Sequence, residues 1–292
     1  MTSRYTVSLD GKDMASINDN IKKGLLILDV SYSPLEYEIT ENVLGALDGY
    51  EIGKVYYKRR KVTVTFELHI YNVATRNAAC QAVNNWAKNG GILRINDRGG
   101  QFLSVHCETF ADIESAKNWT DPLTIVFSTD TIPFWQAEKE DQKTVSGINN
   151  NAVMTVSGNI GSALVTITAT PKQGLSKIMF SAYGSGSSGL VNNSTSLSQL
   201  QGTLSYVSMA SAQIARSMTF SGLSLAAGET ITISYTNNRY LSAVTNRNKS
   251  ILGNLTKDSY DKLLVPCGKG CTFHFESNKA CDVTFKVRGL YL

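Results

Sequence analysis

Residues 61–71, KVTVTFELHIY, alternate strictly between apolar and polar side chains. Alternation with a period of two puts one set of side chains on each face of an extended strand, whereas a helix would mix the two sets. The pattern therefore predicts a strand with one buried face. That face carries Val62, Val64, Phe66, Leu68 and Ile70.

Other segments of the N-terminal half are typical of the same kind of sheet. Residues 91–107 predict a hairpin, because residues 97–100 (DRGG) favour a tight turn between two apolar runs. Residues 123–135 predict a strand that Pro133 ends. Residues 75–91 predict the one helix of this half, with Thr75 as its N-cap and Trp86 packed onto the sheet.

The composition changes after Trp135. Residues 136–151 are polar and rich in turn formers, which predicts a linker between domains. Short alternating segments then predict an antiparallel sandwich, and they lie at 162–170, 177–183, 203–209, 229–235, 271–276 and 281–287. We therefore predict a mainly β protein with two domains, residues 1–140 and residues 141–292. The first is a β-sandwich or barrel-like domain with one packed α-helix, and the second is an antiparallel β-sandwich.

Charge is distributed unevenly over the 292 residues. Residues 1–140 contain 15 Lys and Arg against 18 Asp and Glu, a net charge of −3, whereas residues 141–292 contain 13 against 6, a net charge of +7. The total of +4 is too small to indicate nucleic-acid binding by the whole chain. We expect no membrane helix, because no apolar run approaches the required length of about 20 residues. We expect no export signal, because the start MTSRYTVSLDGKD has no basic region followed by an apolar one. Five cysteines without an export signal are expected to be free thiols.

The segment 266–281, PCGKGCTFHFESNKAC, contains Cys267, Cys271, His274 and Cys281, all of them residue types that bind zinc. Strand alternation would put Cys271 and Cys281 with the apolar residues of a closing hairpin and His274 on the opposite, polar face. Ligands on opposite faces cannot converge on one ion, so core packing is the interpretation we favour. A metal site and a disulfide from Cys281 to Cys267 or Cys271 are the alternatives.

Candidate catalytic groups are few. His69 and His274 are expected on solvated strand faces, and His106 is expected to point away from its neighbour Cys107. Glu36 and Glu38 would lie about 6.6 Å apart on one strand face. That spacing suits a glycosidase pair, although two carboxylates on a strand more often protect a sheet edge. We expect no enzyme, no catalytic residue, no cofactor and no metal.

The basic run 58–61, KRRK, is a candidate phosphate contact, but no aromatic residue alternates with its charges as in single-strand binders. We expect a solvated strand start instead. No phosphate-binding loop, dinucleotide fingerprint or nucleophile elbow is present in the sequence.

The order of these segments resembles the distal tail protein (Dit) family of long-tailed, non-contractile phages. In the N-terminal half the resemblance lies in LDGYEIGKVYYKRRKVTVTFELHI, in CQAVNNWAKNGGILRINDRGGQFLSVHC and in DPLTIVFSTDTIPFW. In the C-terminal half it lies in GNIGSALVTITAT, in LAAGETITISY and in the closing segment DSYDKLLVPCGKGCTFHF with CDVTFKVRGLYL. Together these segments cover nearly the whole chain.

The resemblance implies a structural virion protein at the distal end of the tail, made in the host bacterial cytoplasm. Its N-terminal domains would form a homohexameric hub ring between the tail tube and the adsorption apparatus, and its C-terminal domain would be a galectin-like sandwich. Expected partners are further copies of the chain, the major tail tube protein, and tail-tip, tail-associated or receptor-binding proteins. DNA would pass through the lumen without specific binding.

The alternative function is a carbohydrate-binding module, a host-surface adhesin that acts through the C-terminal sandwich. Trp119 and Tyr240 are its candidate sugar platforms, although all three Trp residues precede residue 136.

Overall fold

The computed structural model describes residues 3–43, 50–114, 118, 120–183, 216–236 and 240–292; of residues 39–43, 50–56 and 216 it describes the backbone only. The chain divides into two compact units, residues 1–136 and residues 137–292. This division lies close to the predicted one at residue 140, and the roles assigned to the two domains stay predictions.

The N-terminal unit consists mainly of β-strands and contains two α-helices. Its elements are β1 (Val7–Leu9), β2 (Lys12–Asp13), α1 (Asp19–Gly24), β3 (Leu25–Tyr32), β4 (Tyr37–Val43), β5 (Tyr50–Tyr57), β6 (Lys61–Leu68), α2 (Val73–Ala87), β7 (Gly91–Ile95), β8 (Gln101–Thr109), β9 (Leu123–Thr129) and, at the division, β10 (Trp135–Ala137). Single 3₁₀ turns cover Met14–Ser16 and Asn96–Arg98.

Seven strands of this unit follow each other in the order β2-β1-β7-β8-β9-β6-β3. The alternation of 61–71 is confirmed, because Val62, Val64, Phe66 and Leu68 are buried on one face of β6. β6 ends at Leu68, since the Ile70 N–H donates to the Leu68 carbonyl and turns the chain towards α2. The predicted hairpin 91–107 is confirmed as β7 and β8, with Leu93 opposite Leu103.

Helix α2 packs on the sheet as predicted. Its buried residues include Ala79, Cys80, Val83 and Ala87. The Trp86 ring stands edge-on to Phe127 at a centroid distance of 6.2 Å, and its Nε1–H donates to the Lys12 carbonyl. The predicted N-cap was wrong: the helix begins two residues earlier than Thr75, and the Asn72 side chain accepts a hydrogen bond from the Thr75 N–H. An Asn fills this position as well as a Thr does, so the sequence offered two equivalent caps.

The C-terminal unit contains strands and one 3₁₀ turn, Leu252–Asn254, in its described residues. The strands are β11 (Asp141–Thr155), β12 (Ser162–Pro171), β13 (Leu175–Tyr183), β14 (Arg216–Leu225), β15 (Ile231–Thr236), β16 (Tyr240–Thr245), β17 (Leu264–Pro266), β18 (Gly270–Val287) and β19 (Leu290–Tyr291). Predicted strands 162–170, 177–183 and 229–235 are confirmed as β12, β13 and β15. The predicted strand 203–209 lies outside the described residues.

Two predictions for this unit were wrong. The stretch 136–151 is largely strand β11 and not a linker. Polar residues are compatible with this strand, because all but one of its residues are exposed or half-buried and its partner among the described strands is β18. The closing hairpin is one continuous strand, β18, and not two strands paired with each other. Its first half pairs with β13 and its second half with β12, while β11 runs along both halves.

The long ribbon of β11 and β18 folds over, and this brings its two halves face to face. A straight strand would hold residues 273 and 285 roughly 40 Å apart. The Phe273 and Phe285 rings instead have centroids 5.2 Å apart, and Phe180 of β13 stands edge-on to Phe285. The bend coincides with a register shift in β11 between Gly147 and Asn149, and Gly147 has a φ of +133° there. The core of the unit therefore lies between the halves of one ribbon.

The prediction of a mainly β protein is confirmed. Across the described parts of the chain, no helix combines the length and the apolar character that a membrane crossing requires.

Replacing Phe285 with Ala is expected to lower the free energy of unfolding of the C-terminal unit by about 3–5 kcal/mol, because it empties the place where the ribbon halves meet. Urea unfolding followed by circular dichroism measures this loss. All three Trp residues precede residue 137, so Trp fluorescence reports the N-terminal unit alone, and its transition is expected to stay in place.

The matched control is Lys286→Ala, one residue further along β18 and on its other face, with an expected change within about 0.5 kcal/mol. Equal effects of the two substitutions on the circular dichroism transition would contradict the face-to-face packing of the ribbon.

Candidate functional site

The cysteines of 266–281 lie in the core of the C-terminal unit, as expected. Cys267, Cys271 and Cys281 are buried free thiols. Burial raises the pKa of Cys271 to about 11, and it also raises the pKa of Cys267 and Cys281. A thiol must lose its proton to bind zinc or to attack an electrophile, so these cysteines are poor ligands and poor nucleophiles at neutral pH. The described residues contain no group of three His, Cys, Asp or Glu side chains arranged for a metal ion.

His274 is not on a solvated face, which corrects the prediction. Its ring is fully buried, its Nδ1 lies 2.5 Å from Asn151 Oδ1, and burial lowers its pKa. Residues 271–275 are buried on both faces of β18, so alternation could not separate core from surface there. Asn151, His274 and Ser181 stand opposite one another on β11, β18 and β13, in a polar row that is buried at His274 and Ser181 and half-buried at Asn151.

The other two histidines each pair with a carboxylate in the N-terminal unit. His69 Nε2 lies 2.6 Å from Glu67 Oε2, and His106 Nδ1 lies 2.7 Å from Asp130 Oδ1. The Cys107 thiol donates to the Thr109 carbonyl, and burial raises its pKa to about 11. A thiolate–imidazole pair between Cys107 and His106 is therefore not formed.

The acidic and basic runs before β6 largely neutralise one another. Lys58 forms an exposed ion pair with Glu36 at 3.6 Å, and Lys61 pairs with Glu108. Glu38 is exposed on β4, and Glu36 precedes the strand, so the pair is not set in a cleft. Arg60 departs from the prediction of a solvated run, because only 7% of it is exposed.

The N-terminal unit contains an open sheet edge and a separate two-stranded arm, both of which leave strand edges unpaired within the described residues. Among the described strands β3 pairs with β6 alone and leaves its other edge open along most of its length, although Ser3 Oγ accepts from the Ile27 N–H. The arm, β4 and β5 (residues 37–57), forms a sheet of its own between β3 and β6 in sequence. A two-stranded ribbon is marginally stable alone in water, and an unpaired edge accepts a further strand.

Exposed aromatic and aliphatic side chains lie along these two surfaces. At the base of the arm Tyr37 is 60% exposed and Tyr57 is 44% exposed, and Leu28 of β3 is 41% exposed. Tyr57 also stands edge-on to Phe134 at a centroid distance of 5.0 Å, which fixes one side of the base. Apolar groups beside unpaired backbone are typical of a surface that is covered in an assembly.

Of the two aromatic residues proposed to bind sugar, the structure describes one. Trp119 lies outside the described residues, and Tyr240 of β16 is well exposed.

The arm was not predicted, although the pattern of a hairpin is present in its sequence. The runs YEITENV and YEIGKVYY both alternate, and the intervening LGALDG contains two Gly and an Asp. Two alternating runs separated by such residues predict a hairpin.

Fold and surface together define a two-unit β protein suited to association, in which the buried thiols and paired carboxylates supply no assembled reaction centre among the described residues. The resemblance to the Dit family is confirmed at the level of the fold. The chain is similar to the SPP1 Dit protein (gp 19.1), described as a paradigm of the hub adsorption apparatus in phages that infect Gram-positive bacteria. The TM-score is 0.66 at 11% sequence identity, over 97% of this chain and 98% of that chain.

Two structures of the phage p2 baseplate in its activated conformation match more weakly. The one with Sr has a TM-score of 0.47 at 10% identity, over 97% of both chains, and the one with Ca has 0.45 at 8% identity, over 99% of this chain and 98% of that chain. No protein-family profile and no curated protein sequence matches this chain.

Acidification is expected to destabilise the C-terminal unit through His274. Its native pKa is lowered, so the unfolded chain, with a pKa of about 6.5, takes up the proton first as the pH falls. Stability is therefore lost below about pH 6.5, with a slope of at most about 1.4 kcal/mol per pH unit for one proton. Urea unfolding of the wild type and of His274→Asn at about pH 7.5 and pH 5.5 measures the difference in slope.

Thr272→Val is the matched control, since it changes the same strand face without removing an ionisable group, and it should keep the wild-type slope. If His274→Asn and the wild type lose the same stability on acidification, the native histidine does not have a lowered pKa.

Proposed function

We propose that this chain is the distal tail protein of a long-tailed phage, a structural and non-enzymatic virion component. Six copies would form a hub ring between the tail tube and the host-adsorption apparatus, with the N-terminal units as the ring and the C-terminal units as appended galectin-like sandwiches. In this role the protein is made in the host bacterial cytoplasm and is located at the distal tip of the tail in the virion.

One observation carries this proposal, the similarity to SPP1 Dit along almost the full length of both chains. A match confined to one sandwich would carry little weight, because sandwich folds serve many functions. Here both units occur in the same order within one superposition with a TM-score of 0.66. Shared order of two units supports a shared architecture of the assembly.

The surfaces of the N-terminal unit support self-association. A closed ring needs a heterologous contact, in which one surface of a copy meets a different surface of the next. The open edge of β3 and the arm, which forms a separate two-stranded sheet, are two such surfaces. A ring that is stable alone should bury well over about 1,000 Å² per contact.

Passage of DNA through the lumen is compatible with the charge of the ring-forming half. Its net charge of −3 would not retain a phosphate backbone, whereas a strongly basic surface would. We therefore propose no specific nucleic-acid binding. The remaining partners we propose are the major tail tube protein and tail-tip, tail-associated or receptor-binding proteins. The C-terminal unit contains no Trp, so sugar binding stays the weaker candidate.

Light scattering coupled to size-exclusion chromatography is expected to give about six times the chain mass of 31.8 kDa. Two-dimensional class averages of the same fraction are expected to show a six-fold ring with a central hole. Because some rings close only on a template, the measurement is repeated with the purified tail tube protein. A monomer under both conditions, or a closed assembly of another symmetry, would refute the hexameric ring.

Removing the arm is expected to abolish ring formation and to leave the N-terminal unit folded. The Lys58 N–H donates to the Glu36 carbonyl, so an Asn-Gly turn can replace residues 37–57 and close the gap. Association is measured by light scattering, and folding by the Trp fluorescence transition in urea. Tyr240→Ser, on the C-terminal unit, is the control that keeps the ring. An armless chain that still forms the ring would show that other surfaces close it.

A further inference from the structure

The Arg60 side chain is a buried cation at the base of the arm. Only 7% of the residue is exposed, and its Nε and Nη1 atoms are enclosed without a hydrogen-bond partner. Its backbone is fixed, because the Arg60 N–H donates to Thr129 Oγ1 and the Arg60 carbonyl accepts from the Thr129 N–H. These two hydrogen bonds fix the backbone position from which the guanidinium extends.

Aromatic rings and a second guanidinium surround it. The Arg60 Cζ lies 6.0 Å from the centroid of the Tyr32 ring, and the Arg98 Cζ lies 5.2 Å from that centroid and 5.6 Å from the Trp135 ring. The Tyr32 and Trp135 rings meet edge-on. We call Tyr32, Arg60, Arg98 and Trp135 the arm-base cluster.

Charge in the arm-base cluster is not balanced at Arg60. The Asp97 carboxylate, next to Arg98 in the chain, accepts a hydrogen bond from the Tyr32 hydroxyl at both oxygens. No ion pair joins Arg60 to a carboxylate in the described chain, and Arg98 adds charge of the same sign. A stack on an aromatic ring returns less free energy than the burial of a cation costs, so stacking alone does not account for the arrangement.

We propose that the arm-base cluster is a binding pocket for a carboxylate side chain contributed by a second copy of this chain. Nε and Nη1 are enclosed without a partner and Nη2 is not among the enclosed atoms, so a carboxylate would approach at Nη2. One charge-assisted hydrogen bond there would pair the buried cation with an anion.

The second copy is the source that the charges favour. Residues 1–140 contain more carboxylates than cations, so a neighbouring N-terminal unit offers an acidic surface to this pocket. Tyr32 precedes the arm and Arg60 follows it, so a copy that holds the arm also reaches its base. A duplex phosphate is a poor fit, because the half of the chain around the cluster is net negative. This inference rests on the ring proposed above.

The decisive variant is Arg60→Met, which keeps most of the side-chain volume and removes the charge. The apparent dissociation constant of the assembly, measured by sedimentation velocity over a dilution series, is expected to rise roughly tenfold or more. The thermal midpoint of the dissociated chain is expected to stay equal or to rise, because the uncompensated buried cation is gone.

Arg59→Met, an exposed neighbour, is the matched control and should change neither quantity. Unchanged association, or a lower midpoint in the dissociated chain, would overturn the proposal.

A second measurement does not depend on the variant folding or on the ring forming. The Nε–Hε resonance of Arg60 in the wild-type chain is followed by NMR with sodium acetate, sodium phosphate and sodium chloride at equal ionic strength. A saturable shift with acetate, absent with chloride, supports a carboxylate pocket even if the chain stays monomeric and the ring proposal fails. A shift with phosphate alone, or no saturable shift, overturns it.

Discussion

Backbone pairing between antiparallel strands fixes alternate side chains on opposite faces, and both units depend on this constraint. In β18 the pairing holds one strand between β11 on one side and β13, then β12, on the other. The ladder keeps Phe273 and Phe285 on the same face of the ribbon, so the fold at Gly147 turns both rings into one core. In the N-terminal unit the same alternation along β6 supplies the apolar floor of its sheet.

The sequence predicts structure well wherever burial is one-sided. β6, β12, β13 and β15 were found from alternation, and α2 from its small-residue stripe with Trp86. Prediction failed where the outcome depends on a distant strand. A closing hairpin was predicted over 271–287, but the residues on both sides of 277–280 pair with β11, so the two halves of β18 lie along that strand and not along each other. His274 was assigned to the surface because a single strand cannot reveal that both of its faces are covered.

The same limit applies to the chemistry of the candidate sites. The burial of Cys271 and Cys281 followed from alternation alone, and desolvation then accounts for their raised pKa values. Four consecutive cations at 58–61 looked equivalent in sequence. Arg60 is buried and its backbone is bonded to Thr129, whereas Lys58 and Lys61 pair with carboxylates at the surface. Which of four like charges is buried depends on tertiary pairing.

Stability and assembly place opposite demands on the base of the arm. A buried polar group without a partner costs roughly 1–3 kcal/mol, and a charged one costs more. A whole domain is stable by only about 5–15 kcal/mol. The isolated chain therefore gives up a measurable share of its stability to hold Arg60 as it does. A partner that supplies the missing acceptor recovers that free energy. The free energy of association then contains two favourable contributions, the new contact itself and the removal of the penalty for the unpaired cation. Because Tyr32 and Arg60 flank the arm in sequence, the unsatisfied charge and the two strands of the arm, which pair with each other in a sheet of their own, lie in one continuous segment of the chain. The proposed assembly would relieve both costs at the same place, because a neighbouring copy could supply the missing acceptor and cover the arm.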